Sequence, residues 1–447
     1  MDINGKFRFS SWQIIALGYL VVIALGSFLL ALPFASKTGT WTPYINSLFT
    51  ATSATCVTGL VVYDTFAHWT IFGQIVILLM IQIGGIGFMT VVTLFAIMIK
   101  RKIGIFERKV LMESAGTMRS SGVVRLIKRI LIGTFIIELI GAILLMTRFI
   151  PQMGWGKGIY YAIFHSVSSF CNAGFDIMGF GGEFSSLTAY SSDLIVNITV
   201  MSLIILGGLG FIVWSDIIDT KGNIKKFQLH TKVVLVSTAL LIVSSALLFF
   251  IFEKNNILAG RSVKEKILVT LFSAITPRTA GFNTVNTAML TDSSKLLTMV
   301  LMFIGGSSGS TAGGIKITTF VVIILGIIAS TRNNSDIVIG KRRLEPSLVN
   351  KALAIFASYL VITLVGTIII CAIEPFGLTA SAFEVISAVG TVGLSTGITP
   401  YLSVVSKLVI TITMFAGRVG VLNLVLAISE KRNNPPVKKP LDKILIG

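Results

Sequence analysis

Long apolar runs alternate along this chain with polar connections and with shorter apolar segments. A helix needs about 20 apolar residues to cross a bilayer, and eight segments reach that length, at approximately 12–32, 71–99, 127–149, 194–218, 233–252, 296–328, 353–373 and 408–428. Four further segments are about half as long, at 43–53, 159–169, 263–275 and 380–387. We expect the short segments to be re-entrant helices. The pattern predicts an all-α polytopic membrane protein.

A motif follows each short segment. It begins with a large apolar residue, continues with small and hydroxyl residues, and ends with Gly before Leu or Phe, at 49–60, 164–175, 271–282 and 383–394. A second glycine signal follows each motif in register, at Gly84, Gly207, Gly305 and Gly417. Two signals in the same order predict a fourfold repeat. Each repeat contains a first span, a pore helix and a second span, and we expect fourfold pseudo-symmetry around a single central pore.

The predicted boundaries are residues 1–100, 101–220, 221–332 and 333–430 for the four repeats, with a broken second span in the third, and 431–447 for a cytoplasmic tail. Two crossings per repeat return each repeat to its starting side. The four repeats are therefore parallel, and their four re-entrant segments approach one axis from the same outer side.

Composition and charge support the membrane assignment. The chain is 54% hydrophobic and 13% charged, with a formal net charge of +18. Most of the 37 Lys and Arg residues lie in alternate connections and near the termini, at 100–129, 221–232, 332–351 and 431–443. This bias predicts a multi-pass protein of the cell membrane with both termini in the cytoplasm, rather than a protein that binds nucleic acid.

The motif glycines predict a cation-binding filter. We define four glycine segments, residues 57–59, 172–174, 279–281 and 391–393, which comprise Val57, Thr58, Gly59, Asn172, Ala173, Gly174, Thr279, Ala280, Gly281, Thr391, Val392 and Gly393. They carry no carboxylate and no phosphate-binding arrangement. Non-helical backbone inside a membrane must be buried or line a wet cavity. Carbonyl groups aimed at the axis can replace the hydration shell of a monovalent cation, so we expect K⁺ or Na⁺ at the carbonyl groups.

At these motifs the chain resembles the Trk/Ktr/HKT superfamily of potassium transporters, and most closely the bacterial Ktr membrane subunits. The resemblance covers nearly the whole chain and includes TATSATCVTGL, NAGF, TPRTAGF, GTVGL and IQIGGIGFMT. It implies K⁺ as the transported ion, because all four filter positions are glycine. It also implies Na⁺ as a possible activator, a homodimer, and a cytosolic ring of nucleotide-binding regulatory subunits of the RCK type. No cofactor is expected in this chain.

A loop inside the third repeat predicts a gate. We call it the Gly-Ser loop, and with the lysine that follows it comprises Gly305, Gly306, Ser307, Ser308, Gly309, Ser310, Thr311, Ala312, Gly313, Gly314 and Lys316. Helix propensity is poor there, so the helix should break below the filter. A charge at a helix centre normally faces a partner or water, and repeat register places Arg418 at the depth of this loop. A helix kink packed through small residues, with a purely structural Arg418, is the alternative.

Three other groups of polar residues carry weaker hypotheses. Arg278 should point behind the third glycine segment, with Glu384 as a candidate partner. Cys56 and Cys171 share one register and are best interpreted as small buried side chains. His68, His165 and His230 fall at unrelated positions in their predicted repeats, and no catalytic pairing is visible, so we expect no enzyme.

Two other functions compete with a gated pore. A tightly coupled Na⁺/K⁺ symporter with alternating access is disfavoured by four parallel loops on one axis. A membrane receptor or scaffold without ion flux would leave the aligned glycines unexplained. The basic loops at 100–129 and 332–351 are candidate docking surfaces for regulatory subunits, or contacts for anionic lipid.

Overall fold

The computed structural model describes residues 10–99, 104–115, 122–332, 337–340, 342–345 and 347–421. Helices dominate. The part of the chain predicted as the first repeat contains α1 (Ser11–Ala31), α2 (Tyr44–Thr55), α3 (Thr65–His68), α4 (Ile71–Ile86) and α5 (Phe88–Met98). The second contains α6 (Ile105–Ala115), α7 (Val123–Met153), α8 (Trp155–Phe170), α9 (Leu194–Leu209) and α10 (Phe211–Asp219).

The third part contains α11 (Leu229–Glu253), α12 (Val263–Ile275), α13 (Asp292–Phe303) and α14 (Ile317–Thr331). The fourth contains the antiparallel strands β1 (Val338–Ile339) and β2 (Arg342–Arg343), followed by α15 (Ser347–Ile373), α16 (Leu378–Gly390) and α17 (Val404–Val419). Within the described part of the chain, six 3₁₀ turns lie in connections, at Pro33–Ala35, Gly179–Gly181, Thr188–Tyr190, Ile224–Lys226, Thr287–Met289 and Thr399–Tyr401.

Among the described residues, four helices, α1, α7, α11 and α15, are long and apolar enough to cross a membrane. Each corresponds to the first span of a predicted repeat. Large apolar side chains on these helices are exposed, including Leu25, Phe135, Val243 and Ile368. Lipid is the natural environment for such surfaces, because an aqueous surface of this size and polarity would aggregate. The polytopic helical class predicted from the sequence is confirmed.

The second spans are not the continuous helices that the apolar runs predicted. Helix α4 meets α5 at an angle of 96°, and α9 meets α10 at 90°. The breaks occur at Gly87 and Gly210, whose φ angles are +92° and +95°, and α17 ends at Gly420 with φ +92°. Apolar composition does not reveal such a break, because both halves remain apolar while the glycine takes a conformation that is almost closed to other residues. Only the interruption between α13 and α14 was predicted.

The second span predicted for the fourth repeat lies outside the described residues after residue 421. The tail at 431–447 also lies outside them, as do 100–103, 116–121 and 333–336 in the basic loops.

In the described chain, each second span begins with a side-chain cap. Thr70, Asp193, Thr291 and Ser403 accept hydrogen bonds from backbone N–H groups in the first turns of α4, α9, α13 and α17. These polar residues satisfy donors that helix geometry leaves free, and they fix where each span starts.

The short helices α2, α8, α12 and α16 lie between the spans. Each packs against the first span before it, in the pairs α1–α2, α7–α8, α11–α12 and α15–α16. Each also packs against the second span of the preceding part of the chain, in the pairs α4–α8, α9–α12, α13–α16 and α17–α2. The last pair returns to the beginning of the chain. The four short helices and the second spans between them therefore form a closed ring, which brings the C-terminal ends of the short helices together.

Gly210→Ala should lower the thermal stability of the purified protein, because the break after α9 combines a positive φ with a crowded site. A Cβ atom at Gly210 would lie 2.8 Å from Ser308 O. Strain of this kind costs about 1–3 kcal/mol. Gly222→Ala is the matched control, since Gly222 also has a positive φ, +74°, but nothing lies within 4 Å of its added Cβ. Equal melting temperatures for the two variants in detergent would contradict the conclusion that the crowded site at Gly210 requires glycine.

Candidate functional site

Each glycine segment begins within four residues of the end of a short helix and takes an unusual backbone conformation. Its first residue has a positive φ although it is not glycine: Val57 +58°, Asn172 +59°, Thr279 +72° and Thr391 +50°. Its glycine, two positions later, also has a positive φ, between +68° and +93°. Such angles are outliers for β-branched residues. Four segments that share the same strain at the same register are held there by their surroundings.

The N–H groups of the segments are bound by the short helices behind them. Thr58 N donates to Ser53 O at 2.8 Å, Ala173 N to Ser168 O at 2.8 Å, Ala280 N to Thr276 O at 3.0 Å and Val392 N to Ser387 O at 2.8 Å. Alternating signs of φ gather successive N–H groups on one side of the chain. The carbonyl groups of the same residues are left on the other side.

The hydroxyl groups of the same four residues make a second set of ties. Ser53 Oγ accepts from Gly59 N at 3.0 Å, and Ser387 Oγ accepts from Gly393 N at 3.0 Å. Ser168 Oγ donates to Phe175 O at 2.6 Å, and Thr276 Oγ1 donates to Phe282 O at 2.5 Å. These residues were missed as site residues, although the hydroxyl residues in the middle of each motif were the signal for them.

The carbonyl groups meet the glycines of the neighbouring segments. A Cβ atom built on Gly174 would lie 2.7 Å from Ala280 O. Added Cβ atoms on the other three glycines would overlap the next carbonyl more severely: Gly59 faces Ala173 O, Gly281 faces Val392 O and Gly393 faces Thr58 O. The series runs from the first segment to the fourth and back to the first. The structure therefore brings all twelve predicted filter residues together around one point, with only glycine sterically acceptable at four of them.

An open cavity of about 650 Å³ lies on one side of this ring. Its lining includes Gly59, Gly174 and Gly281 together with the acidic residues Asp64 and Asp176. We call it the outer cavity. Carboxylates in a concave site raise the local concentration of cations.

The Gly-Ser loop lies on the opposite side of the ring. Its two ends are joined by hydrogen bonds from Gly305 N to Ile315 O at 2.8 Å and from Ile317 N to Gly306 O at 3.0 Å. Between them the chain is not helical, so the predicted break is confirmed. Thr311 Oγ1 donates to Phe170 O, at the end of α8, at 3.2 Å. A Cβ on Gly313 would overlap the side chain of Thr391. The loop is therefore packed directly against the glycine segments.

Arg418 reaches this loop, as its register predicted. Its guanidinium donates to Thr311 O and also to Gly84 O, and it lies 3.3 Å from Gly85 O. Lys316 Nζ donates to Ala312 O at 2.6 Å and to Gly313 O at 3.3 Å. Arg418 thus ties the loop to the second span of the first predicted repeat, whereas Lys316 ties the loop to itself.

A smaller cavity of about 240 Å³ adjoins the loop and both basic side chains. Its lining includes Ser308, Gly309 and Ser310 of the loop, and the break glycines Gly87 and Gly420. We call it the inner cavity. The Gly-Ser loop lies along its wall, close to the ring of glycine segments. In this arrangement the loop stands between the ring and the inner cavity.

The proposed pairing of Arg278 with Glu384 is wrong. Arg278 is buried, and its guanidinium donates to Thr238 Oγ1 at 3.3 Å. Glu384 accepts hydrogen bonds from Ser395 and Thr399 instead. Arg278 directly precedes the third glycine segment, whereas Glu384 lies on the short helix before the fourth. Because they are not at equivalent positions of their predicted repeats, the sequence does not indicate how far apart they lie.

Two buried polar residues behind the ring were also missed. Glu138 accepts from Gln82 Nε2 at 3.1 Å, and Cys171 Sγ lies 3.6 Å from Gln82 Oε1. His165 lies on α8 and contacts the chain that follows the second glycine segment. A charged residue at the centre of an apolar span was the signal for Glu138, since such a residue is costly unless it has partners.

These features define a membrane protein whose single chain surrounds a ring of carbonyl groups, as a cation transport protein does. The chain belongs to the TrkH family of cation transport proteins, whose model matches residues 12–435. The resemblance seen in the sequence motifs is thereby confirmed.

Similar proteins cover the full length of the chain. The potassium/sodium uptake protein NtpJ of Enterococcus hirae is 42% identical over 98% of this chain and 98% of its own. The Ktr system potassium uptake protein B of Bacillus subtilis is 38% identical, over 98% and 97% of the two chains. The crystal structure of the potassium transporter TrkH from Vibrio parahaemolyticus has the same fold, with a TM-score of 0.77, 17% identity, and coverage of 96% of this chain and 86% of that one.

Ser387→Ala should destabilise the protein more than Ser381→Ala. Both serines lie on α16 and are fully buried, but only Ser387 Oγ accepts from Gly393 N, while Ser381 Oγ has no partner among the described residues. A buried N–H left unsatisfied costs about 1–3 kcal/mol. Thermal unfolding of both variants in the same detergent measures the difference. A Ser381→Ala loss as large as that of Ser387→Ala would contradict the role of the hydroxyl tie.

Proposed function

We propose that this protein takes up K⁺ through a gated pore whose selectivity filter is the ring of carbonyl groups in the four glycine segments. The observation that carries the proposal is the closed series of contacts from Gly59 to Ala173 O, and onward through the other segments to Thr58 O. A ring of carbonyl dipoles can replace the hydration shell of K⁺. The names of the relatives, which include potassium uptake proteins, support K⁺ as the ion.

The proposal includes four parallel repeats with the boundaries predicted from the sequence. The cyclic packing of α4 on α8, α9 on α12, α13 on α16 and α17 on α2 supports it. The outer cavity faces the outside in this proposal, and both termini face the cytoplasm, as the distribution of basic residues predicts. Cations would gather in the outer cavity near Asp64 and Asp176, lose water at the ring and leave through the inner cavity.

The Gly-Ser loop is proposed as the gate. It lies between the ring and the inner cavity, and its backbone carbonyl groups are held by Arg418 and Lys316. Arg418 also binds Gly84 O on α4, so it anchors the loop to a helix that packs against the first and second short helices. Opening the pore would require this anchor to release Thr311 O. The bond that holds the loop is therefore also the bond that regulation must break.

The regulatory partners proposed from the family resemblance are a second copy of the chain and a cytosolic ring of nucleotide-binding subunits. Exposed basic residues in the connections support a cytosolic docking surface, among them Arg108, Arg125 and Arg342. Na⁺ is included as an activator, and the name of the Enterococcus relative contains both cations.

Gly281→Ser should reduce K⁺ uptake and its preference over Na⁺. A side chain at residue 281 would overlap Val392 O, and the backbone has φ +80° there, so the ring must widen or distort. The measurement is uptake of K⁺ and of Na⁺ into transport-deficient cells, normalised to the amount of protein in the membrane.

Gly260→Ser is the control for this experiment, because Gly260 has a φ of +74° with nothing within 4 Å of an added Cβ. It should transport K⁺ as the unmodified protein does. If Gly281→Ser retained unmodified uptake and selectivity, the glycine segments would be structural and the ion path would lie elsewhere.

Arg418→Gln should raise K⁺ flux in the absence of activating partners. Loss of its charge-assisted hydrogen bonds removes about 1.5–3 kcal/mol for each bond, and about 1.4 kcal/mol shifts an equilibrium tenfold. Loss of the bond to Thr311 O alone is therefore enough for a gain in open pores of about tenfold or more. Flux into liposomes reconstituted with the membrane protein alone measures it.

A shortened Gly-Ser loop should have the same effect without altering Arg418. Arg129→Gln is the matched control, since Arg129 binds Asp219 and Ser215 away from the loop. Unchanged flux in both the Arg418→Gln and the shortened-loop proteins would remove the gate from the proposal.

A further inference from the structure

A fully buried carboxylate lies on the short helix behind the fourth glycine segment. Glu384 is 0% exposed. Its Oε2 atom accepts a hydrogen bond from Thr399 Oγ1 at 2.9 Å, and its Oε1 atom accepts from Ser395 Oγ. Ser395 Oγ in turn accepts from Gly397 N at 2.8 Å. Glu384 thus holds the chain that leaves the glycine segment on the side of the outer cavity, and Ser395 and Thr399 line that cavity.

The equivalent position in the second short helix makes a similar tie. His165 precedes Gly174 by nine residues, as Glu384 precedes Gly393. His165 Nε2 accepts from Ile177 N at 3.4 Å, and Nδ1 donates to Tyr161 O at 2.7 Å. Both residues therefore join a short helix to the chain just outside its glycine segment.

The other two short helices lack this connection. Thr50, at the same register in the first, donates to Asn46 O within its own helix at 2.9 Å. Phe272 occupies the position in the third and has no polar group. Among the four equivalent positions, only Glu384 is an acidic residue. The fourth segment is therefore electrostatically different from the others.

The charge of Glu384 has no cationic partner in the protein contacts described here. Its hydrogen bonds come from the hydroxyl groups of Ser395 and Thr399, and Arg278, which directly precedes the third glycine segment, binds Thr238. Hydrogen bonds from these hydroxyl groups favour the ionised form of the carboxyl group, whereas its burial opposes ionisation. Buried charges are normally paired or coordinate an ion. A cation in the neighbouring filter can supply the missing positive charge.

We propose that Glu384 is a specificity-determining residue of the K⁺ filter, holding the outer end of the fourth glycine segment through Ser395 and Thr399 and attracting the cation with its carboxylate. The inference rests on the proposed filter function. It assigns the outermost cation position, next to the fourth segment, to a carboxylate that does not itself face the ion. Removing the charge should weaken K⁺ binding more than it slows saturated transport.

The test compares Glu384→Gln and Glu384→Asp for K⁺ uptake, with Rb⁺ and Na⁺ as competing ions. We expect Glu384→Gln to raise the KM for K⁺ about tenfold, equivalent to about 1.4 kcal/mol, with a smaller change in maximal rate and a lower ratio of K⁺ to Na⁺ uptake. Glu384→Asp keeps the charge and should recover part of the affinity. The matched control is Glu374→Gln, because Glu374 accepts from Ser403 N at 2.8 Å at the start of α17, away from the glycine segments.

Ser395→Ala and Thr399→Val test the ties while leaving the carboxylate in place. Each should raise the KM for K⁺ by a smaller factor, so the proposal stays testable even if Glu384→Gln fails to assemble. An unchanged KM and selectivity in Glu384→Gln at normal membrane levels would overturn it, as would unchanged values in both hydroxyl variants. Gly281→Ser run in parallel separates the two levels of inference. If Gly281→Ser also behaves as the unmodified protein, the filter proposal fails, and if only Gly281→Ser is impaired, the role of Glu384 alone fails.

Discussion

The hydrogen bonds between the short helices and the glycine segments are the interactions on which the rest of this structure depends. A non-helical segment inside a membrane cannot leave its N–H groups unsatisfied. Here the N–H group of the middle residue of each segment is bound by Ser53, Ser168, Thr276 or Ser387, so the carbonyl oxygens on the other side stay free. The strain of a positive φ at Val57 or Thr391 is tolerated because these bonds and the packing behind them hold it. The spans, in turn, position the short helices that supply the bonds.

The architecture could be predicted from the sequence to the extent that it depends on periodic signals. The length of the apolar runs was enough to predict the first spans. The short helix α12 begins and ends at the predicted residues, 263 and 275. Recurring glycines gave the segments that meet in the ring. The bends at Gly87 and Gly210 were not predicted, since a glycine within an apolar run fits either helix packing or a break, and only the surrounding tertiary structure decides between them.

In the candidate site, too, the contacts between equivalent positions of the repeats could be predicted, whereas other contacts could not. The register of Arg418 with the Gly-Ser loop was sufficient to place it near Thr311, because both lie at one depth of repeated elements. Contacts between different registers were beyond such reasoning. Glu384 is separated from Thr399 by a strained segment whose path the sequence does not specify, and the hydroxyl partners emerge only when that path is known. His165 appeared unrelated to any other residue for the same reason.

The closed ring formed from one continuous chain has a consequence for how such a filter can change over time. In a channel made of four identical subunits, one mutation changes all four equivalent positions at once, so even a single substitution has a large effect on the filter. In this protein each quarter of the ring is encoded separately, as the different residues Thr50, His165, Phe272 and Glu384 at one register illustrate. In the filter proposed here, ion preference can therefore be adjusted one quarter at a time, and a harmful change in one quarter can be offset in another.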